Sequence, residues 1–534
     1  MTEIKTLKAL AEASFARWRE RPAFTSLGVT LTYREVDERS AAFGAFLRGV
    51  LALAPGERVA LMLPNLLQYP VALLGVLRSG LVAVNVNPLY TAAELQFQLA
   101  DSGASVVVVL EQFAHTVEQA LPGTAVRHVV TTQVGDLFPA AKRWATNFAV
   151  RRKRPPAPVH LPGRVSFRKA QGGGHVLPEG SVAREDIALL QYTGGTTGRP
   201  KGAILTHSNI AANVAQTVAW IGRTLDEGVE TAITALPLYH IFALTANLLV
   251  FMQLGGRNVL IADPRDMRSF VRELERTRFS AITGVNTLYA ALLDNPRFQR
   301  LDFSGLKLAV AGGMAVQRTV AERWQRLTGR TLIEGYGLTE ASPNVCCNPA
   351  DAREFSGKLG LPVPGTEVTI RDETGGEMRR GEVGEICVRG PQVMRGYWNA
   401  PEETAQAFFA GGWLRTGDLG RIDERGYVEF VERRKDVIVV SGFKAYPSEI
   451  EAVALAHPGV RDAGAVGMPH PKSGEAVALF VVKRDPSLTA KALAEHCAAR
   501  LAPYKRPVRI EFRDSLPKSP LGKVLHRSLK AQRG

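Results

Sequence analysis

Ile187-Ala-Leu-Leu-Gln-Tyr-Thr-Gly-Gly-Thr-Thr-Gly-Arg-Pro-Lys-Gly202 passes from an apolar β-type run, Ile187–Tyr192, into a loop rich in glycine and threonine. Gly194, Gly195 and Gly198 carry no side chain, so backbone N–H groups there can approach phosphate oxygens closely. The hydroxyls of Thr193, Thr196 and Thr197 add donors, and Lys201 adds a point charge for a polyphosphate. The spacing is not that of a Walker loop, because Arg199 stands directly after Gly198 where that loop has Lys. A flexible surface turn would account for the glycines alone. It does not account for their combination with three threonines, a lysine and a preceding buried strand.

Outward from this loop the same alternation repeats. Arg58–Leu63, Leu81–Asn85, Ser105–Leu110, Ser280–Thr283, Lys307–Ala311 and Thr331–Glu334 read as short apolar strands. Helix-period segments follow several of them, among them Ser208–Ile221, with Ser208 as its expected N-cap, and Val316–Leu327. Strand–helix alternation implies parallel sheets covered by helices. Pro364–Trp398 changes character, with turn signals at Thr374-Gly-Gly376 and Arg380-Gly381, and reads as a small antiparallel β unit. After about Asp436, strands at Gly459–Val466 and Ala476–Val482 alternate with helices at Ser448–Ala456 and Thr489–Leu501, enough for a small α+β domain. The fold class is α/β: a large N-terminal domain of two helix-covered, mostly parallel sheets plus a small β unit, then a small α+β C-terminal domain.

The 534 residues exceed what a single core holds. Cys346, Cys347, Cys387 and Cys497 form no disulfide framework and no CxxC, which fits a reducing, cytoplasmic compartment and argues against zinc. Residues 1–20 read as an amphipathic helix without the apolar core of an export signal. Thr231–Gly256 has no Asp, Glu, Lys or Arg, but Pro237, His240, Asn247 and Gly255-Gly256 interrupt it. It reads as a buried strand, turn and helix, not as a membrane span. Net charge is +15, and nine basic residues fall between Lys142 and Lys169 in a span, Leu137–Pro178, that has no Asp or Glu. The span reads either as a solvated loop or as a foot on an anionic membrane surface, on the inner face of the cell membrane. Nucleic acid ranks lowest, since neither aromatic interleaving nor a known motif supports it.

The 193–201 loop resembles the signature loop of the adenylate-forming family, which contains acyl-CoA synthetases, luciferases and peptide-synthetase adenylation domains. The commonest family form has Ser where this chain has Gly194. Further segments resemble the family's motifs in order, over nearly the whole chain. They are Leu236-Pro-Leu-Tyr-His240, Ala309-Val-Ala-Gly-Gly-Met314, Glu334-Gly-Tyr-Gly-Leu-Thr-Glu340, Trp413-Leu-Arg-Thr-Gly-Asp418, Glu432-Arg-Arg-Lys-Asp-Val-Ile-Val-Val-Ser-Gly-Phe-Lys444 and Leu516-Pro-Lys-Ser-Pro-Leu-Gly-Lys523. The resemblance implies ATP, Mg2+ and coenzyme A. It places the phosphates on Thr193, Gly194, Gly195, Thr196, Thr197, Gly198 and Lys201, Gly313 along the acyl and adenine pockets, and His240 beside the acid. Tyr336 and Gly337 would meet the adenine, Thr339 the α-phosphate, and Glu340, with Thr196, the metal. Asp418 and Arg433 would hold the ribose, and Gly442 and Lys444 would face the thiol acceptor. Lys523 would bridge the acid and the α-phosphate, with Lys518 as the weaker candidate. Glu432 departs from the frequent family Gly. By the same resemblance residues 1–434 form the adenylation domain and 435–534 a mobile domain hinged at Lys435.

Gln191–Gly198, Pro237–Leu244 and Glu334–Glu340 look like the bacterial long-chain fatty acyl-CoA synthetase branch, which implies a fatty acid as substrate and Leu244 as a gate. A core leucine explains Leu244 equally well. Medium-chain or aryl acids, an acyl-AMP ligase loading a carrier protein, and a silent membrane-surface acyl-binding protein stay open as alternatives. A homodimer is compatible with all of them.

Overall fold

The computed structural model describes residues 4–172, 176–177, 180–193, 200–222, 224–441, 443–471, 473–518 and 524–531. The chain divides into two compact units, residues 1–367 with 389–408, and residues 368–388 with 409–534.

In the larger unit, one described sheet has seven strands in the order Val165–Ser166, His128–Thr132, Val106–Leu110, Arg58–Met62, Val82–Asn85, Ile187–Thr193 and Lys201–Thr206. All neighbours run parallel except the last pair. The runs that built it, such as Val106-Val-Val-Val-Leu110, are buried along their whole length, as a sheet covered on both faces requires. The second sheet has nine described strands, with a parallel centre of Leu332–Gly337, Leu308–Gly312, Ala281–Gly284, Thr231–Thr234 and Arg257–Leu260. Its ends turn antiparallel through Asn344–Cys347 and Val29–Thr32. The helix Leu7–Trp18 buries Leu7, Leu10, Ala11 and Phe15, the amphipathic face expected near the N-terminus.

Thr231–Gly256 folds as a strand, a turn and the helical stretch Ile241–Ala243, Leu244–Leu249 and Val250–Gln253, the middle part a π-helix. Among the described residues no helix is long and apolar enough to cross a membrane. Three expectations need correction. The helix His207–Ile221 is capped by Thr206 and not by Ser208. The Thr206 hydroxyl accepts from Asn209 N–H, and the Asn209 side chain accepts from Thr206 N–H. The basic 142–169 segment does not begin as a loop, because Ala140–Lys153 is a helix. Trp144 and Phe148 stand within that basic run, so aromatic interleaving is present after all.

The smaller unit holds two sheets. Glu367–Arg371, Gly384–Arg389, Trp413–Ile422 and Val428–Arg433, with Phe408–Phe409, make an antiparallel one. The antiparallel unit read at 364–398 therefore draws on residues up to 433, while 389–408 return to the larger unit. The other sheet pairs Val460–His470 with Gly474–Lys483 and adds Ile438–Val440, Phe443–Ala445 and Arg509–Phe512. The helices Pro447–Leu455 and Ala490–Ala498 bury Ile450, Ala454, Leu493 and Cys497 in its core.

Candidate active site

In the larger unit, Thr193 ends one strand and Lys201 begins the next, and the two residues pair across the hairpin. The loop between them is thus held at both ends by a buried sheet. Gly194, Gly195, Thr196, Thr197 and Gly198 themselves lie outside the described residues. The outer edge of Lys201–Thr206 is covered by residues 395–398. Ile204 N–H donates to Gly396 O at 2.9 Å, and Trp398 N–H donates to Gly202 O at 2.8 Å. That edge segment brings in Tyr397, which forms an isolated antiparallel bridge with Ala203. Its hydroxyl donates to Glu340 Oε1 at 2.8 Å, and the Lys201 ammonium lies 5.2 Å from the centre of its ring. Met394 N–H also donates to Glu340 O at 2.7 Å. Burial and the Glu340 carboxylate both raise the Tyr397 phenol above its ordinary pKa, so it stays a proton donor. Tyr397 was missed in the sequence because its partners are tertiary.

Gly313, Tyr336, Gly337, Thr339 and Glu340 gather at the carboxyl ends of two adjacent parallel strands, Leu308–Gly312 and Leu332–Gly337, where ligands of open α/β sheets bind. Gly313 has φ +77°, a left-handed conformation that favours glycine. At Gly337 any Cβ would lie 2.1 Å from Pro343 O, so only glycine fits. Below them Glu334 is buried, and its Oε1 accepts from Val316 N–H at 2.9 Å. Burial pushes this carboxyl up to about 7.

The Leu236–His240 turn is held from the other sheet. Asn65 donates to Thr234 O and Leu236 O at 3.0 and 2.9 Å and accepts from Leu238 N–H at 2.8 Å. The Tyr69 hydroxyl lies 2.8 Å from Leu238 O and 2.7 Å from Asn85 Oδ1. Asn85 donates to Gln191, whose amide donates to Tyr239 O at 3.0 Å. This buried chain couples the strand that leads into the phosphate loop to the turn carrying His240. His240 Nδ1 accepts from Phe242 N–H at 3.3 Å, and burial lowers the ring to about 4. His240 is therefore neutral near pH 7, with its proton on Nε2: a hydrogen-bond donor with no charge to shuttle. Leu244 is fully buried.

In the smaller unit, Asp418 pairs across the sheet with Arg433, and Arg433 Nε lies 3.3 Å from Asp418 Oδ1. The strand irregularity just before Asp418 has Gly417 at φ +71° and is braced by buried Glu385. Glu385 accepts from Gly417 N–H at 3.1 Å and from Arg415 and Arg434 at 2.9 and 3.1 Å. Glu432 has a structural task that a glycine could not perform. Its carboxylate accepts from Ser448 N–H and Arg433 N–H, both at 2.7 Å, and ties the strand Val428–Arg433 to the start of the helix Pro447–Leu455. Lys435 and Lys444 are exposed. Lys518 is paired with Asp462, which occupies the weaker candidate for the catalytic cation. Gly442 and Lys523 lie outside the described residues.

The family model described as AMP-binding enzyme matches residues 11–398, and that of the AMP-binding enzyme C-terminal domain matches 449–523. The chain belongs to the AMP-binding enzyme family. A long-chain-fatty-acid–CoA ligase of Escherichia coli O157:H7 is 53% identical over 531 residues, 98% of this chain and 94% of that protein. An ATP-bound MatB from Rhodopseudomonas palustris superposes with TM-score 0.83 at 29% identity, over 97% of this chain and 98% of that one. An o-succinylbenzoate CoA synthetase from Bacillus subtilis, in complex with its acyl-adenylate intermediate, gives TM-score 0.80 at 26% identity, over 98% of each chain.

An AMP-binding enzyme of this kind uses ATP with Mg2+, and the donor set fits that metal. Glu340 offers a hard carboxylate with one oxygen steadied by Tyr397. Among the described residues there is no group of three or more His, Cys, Asp or Glu able to cage a metal. A cation on Glu340 would draw its remaining ligands from substrate phosphates and water, as Mg2+ commonly does.

Proposed function

We propose that this AMP-binding enzyme activates a long-chain fatty acid with ATP and transfers the acyl group to coenzyme A. An acid oxygen attacks the α-phosphorus, the bond to pyrophosphate breaks, and acyl-adenylate forms. The thiol sulfur then attacks the acyl carbon, AMP leaves, and the thiol proton passes to solvent. The observation that carries this reading is the 53% identity to a long-chain-fatty-acid–CoA ligase across nearly the full length of both chains.

The residue roles follow the resemblance and the local geometry. Thr193, the 194–198 loop and Lys201 take the β- and γ-phosphates. Tyr336 and Gly337 pack on adenine, Thr339 bonds the α-phosphate, and Asp418 with Arg433 holds the ribose. Glu340, with Thr196, holds Mg2+, which when bound offsets charge on the phosphate oxygens. Tyr397 keeps the Glu340 carboxylate aimed and carries the Lys201 ammonium on its ring. Gly313 and the neutral Nε2–H of His240 face the acid. Lys523 supplies a cation to the developing charge on the α-phosphate, the kind of preorganised electrostatic aid that dominates such reactions. Residues 435–534 turn about Lys435 between the half-reactions and bring Gly442 and Lys444 to the thiol. The basic 142–169 segment gives the enzyme an anionic membrane surface as a partner.

Pyrophosphate release with ATP and saturated acids of graded length, with and without coenzyme A, tests the reading. Release that rises with chain length and acyl-CoA that forms only with coenzyme A are expected. Preference for an aryl acid, or turnover only with a carrier protein, would replace it. A feruloyl-CoA synthase from Amycolatopsis, 34% identical over 500 residues, makes the aryl panel worth including.

A further inference from the structure

The helix Ala140–Lys153 buries none of its residues. A helix lying on a folded domain normally buries an apolar stripe. This one turns its apolar residues the other way. Trp144 is 71% exposed and Phe148 57% exposed, one helical turn apart, with rings stacked at 5.5 Å and 9°. Ala141, Ala145 and Ala149 are exposed with them. Polar contacts fasten the helix beside this face. Asn147 accepts from Gly135 N–H at 2.8 Å, and Arg151 forms a two-pronged pair with buried Glu111 at 3.0 and 2.8 Å. Lys142 also reaches across to Leu27 O at 2.6 Å. The helix is thus pinned in place while its aromatic face stays outward.

Charge selects the occupant of that face. Arg152, Lys153 and Arg154 follow the aromatic pair and are exposed, and no Asp or Glu occurs from Leu137 to Pro178. Stacked aromatics between basic residues on a short helix match the interfacial zone of a bilayer, where indole and phenyl rings sit at headgroup depth and Lys and Arg meet anionic lipid. We propose that Ala140–Lys153 is the membrane-contacting element of this protein, with Trp144 and Phe148 inserted among the headgroups of an anionic lipid surface. The proposal deepens the membrane partner named under Proposed function and rests on that reading. A lipid surface is also where an amphiphilic long-chain acid would be collected.

The full chain would be mixed with vesicles of phosphatidylcholine alone and with vesicles containing a third phosphatidylglycerol. Binding should favour the anionic vesicles and weaken with salt. Trp144→Ala with Phe148→Ala should weaken it at least about tenfold, while pyrophosphate release with a detergent-solubilised acid stays unchanged. Brominated lipids should quench the parent's tryptophan fluorescence, and Trp144→Phe should remove most of that quenching while still binding. That single variant keeps the test decisive if the double variant does not fold. Binding of the double variant to anionic vesicles equal to the parent's, with no quenching of the parent by brominated lipid, would leave a purely electrostatic contact and overturn insertion. Equal binding of the parent to neutral and anionic vesicles would overturn the charge-based membrane reading itself. A change of oligomeric state in the double variant, or competition by nucleic acid in place of lipid, would reassign the helix to another partner. Absence of adenylation with every fatty acid would strike the proposed reaction and leave the vesicle results to be judged separately.

Discussion

Tyr397 shows how a single residue can organise chemistry that local motifs only name. It reaches Glu340 from one side and underlies Lys201 on the other, from a segment bridged to the edge of the Ile187–Thr206 hairpin. Hydrogen bonds to charged groups contribute about 1.5–3 kcal/mol, so losing this one should loosen metal binding by roughly tenfold or more. Tyr397→Phe is expected to raise the half-saturating Mg2+ concentration by that factor, with a small loss of thermal stability. Titration of activity with Mg2+ at saturating ATP reads this directly, and an unchanged Mg2+ requirement would remove Tyr397 from the site. Glu334 supplies a second prediction. Its ordinary pKa of 4.5 rises to about 7 in the fold, against the pull of Val316 N–H and Arg318. Between those values the folded chain holds a proton that the unfolded chain has lost, so stability falls as pH rises through that window. Glu334→Gln keeps an acceptor for Val316 N–H and removes the titration. The variant should melt higher than the parent near pH 8 and lose that advantage near pH 4.5, and a pH-independent difference would refute the assignment. Neither residue's role was legible locally. Glu334 opened a recognised motif and Tyr397 closed an expected β stretch, but the partners of each are set by long-range folding.

At the level of elements, the C-terminal core is braced by a half-buried cation between two carboxylates. His526, at the start of the helix His526–Ala531, places Nε2 2.6 Å from Glu451 and Nδ1 3.3 Å from Asp436. Burial alone would lower this imidazole, but the two carboxylates outweigh it and raise the ring from 6.5 to about 9. The stabilisation is complete below pH 6.5 and is lost as pH climbs through about 9. His526→Gln should therefore destabilise the enzyme most near pH 6 and flatten the decline in melting temperature between pH 6.5 and 9; a variant with the parent's full pH slope would contradict the pairing. Elements as such were largely readable. The strand at 106–110 and the helix at 207–221 appeared within a residue or two of their expected bounds, because buried parallel strands and amphipathic helices write their periods into the chain. The cap at Thr206 was misread because Ser208 and Thr206 are both good capping types, and only the backbone shows which one precedes the first helical turn. The basic helix was misread because it buries nothing, so its sequence carries no core-facing stripe.

For the molecule as a whole, the proposed reaction draws on two different sets of residues. The larger unit supplies the loop anchors Thr193 and Lys201, the Glu340–Tyr397 pair and the His240 turn. The C-terminal residues supply candidates for both half-reactions from one short domain: Lys523 for adenylation and Ser441–Lys444 for the thiol. Both cannot serve one acyl carbon in a single arrangement, and the proposed rotation about Lys435 would resolve the conflict. The two demands separate by mutation. Lys523→Ala should lower acyl-adenylate formation by about 100- to 1000-fold, the usual cost of removing one group that stabilises charge in the transition state, yet leave conversion of supplied acyl-adenylate to acyl-CoA nearly intact. Lys435→Pro fixes φ at the hinge and should do the reverse, sparing pyrophosphate release and slowing thioester formation. Single-turnover measurements of each half-reaction, begun from ATP and acid or from preformed adenylate, give a two-by-two pattern with opposite diagonals. If both variants slow both steps alike, the hinge is not a switch between half-reactions, and Lys523 and Lys435 serve one fixed arrangement of the chain.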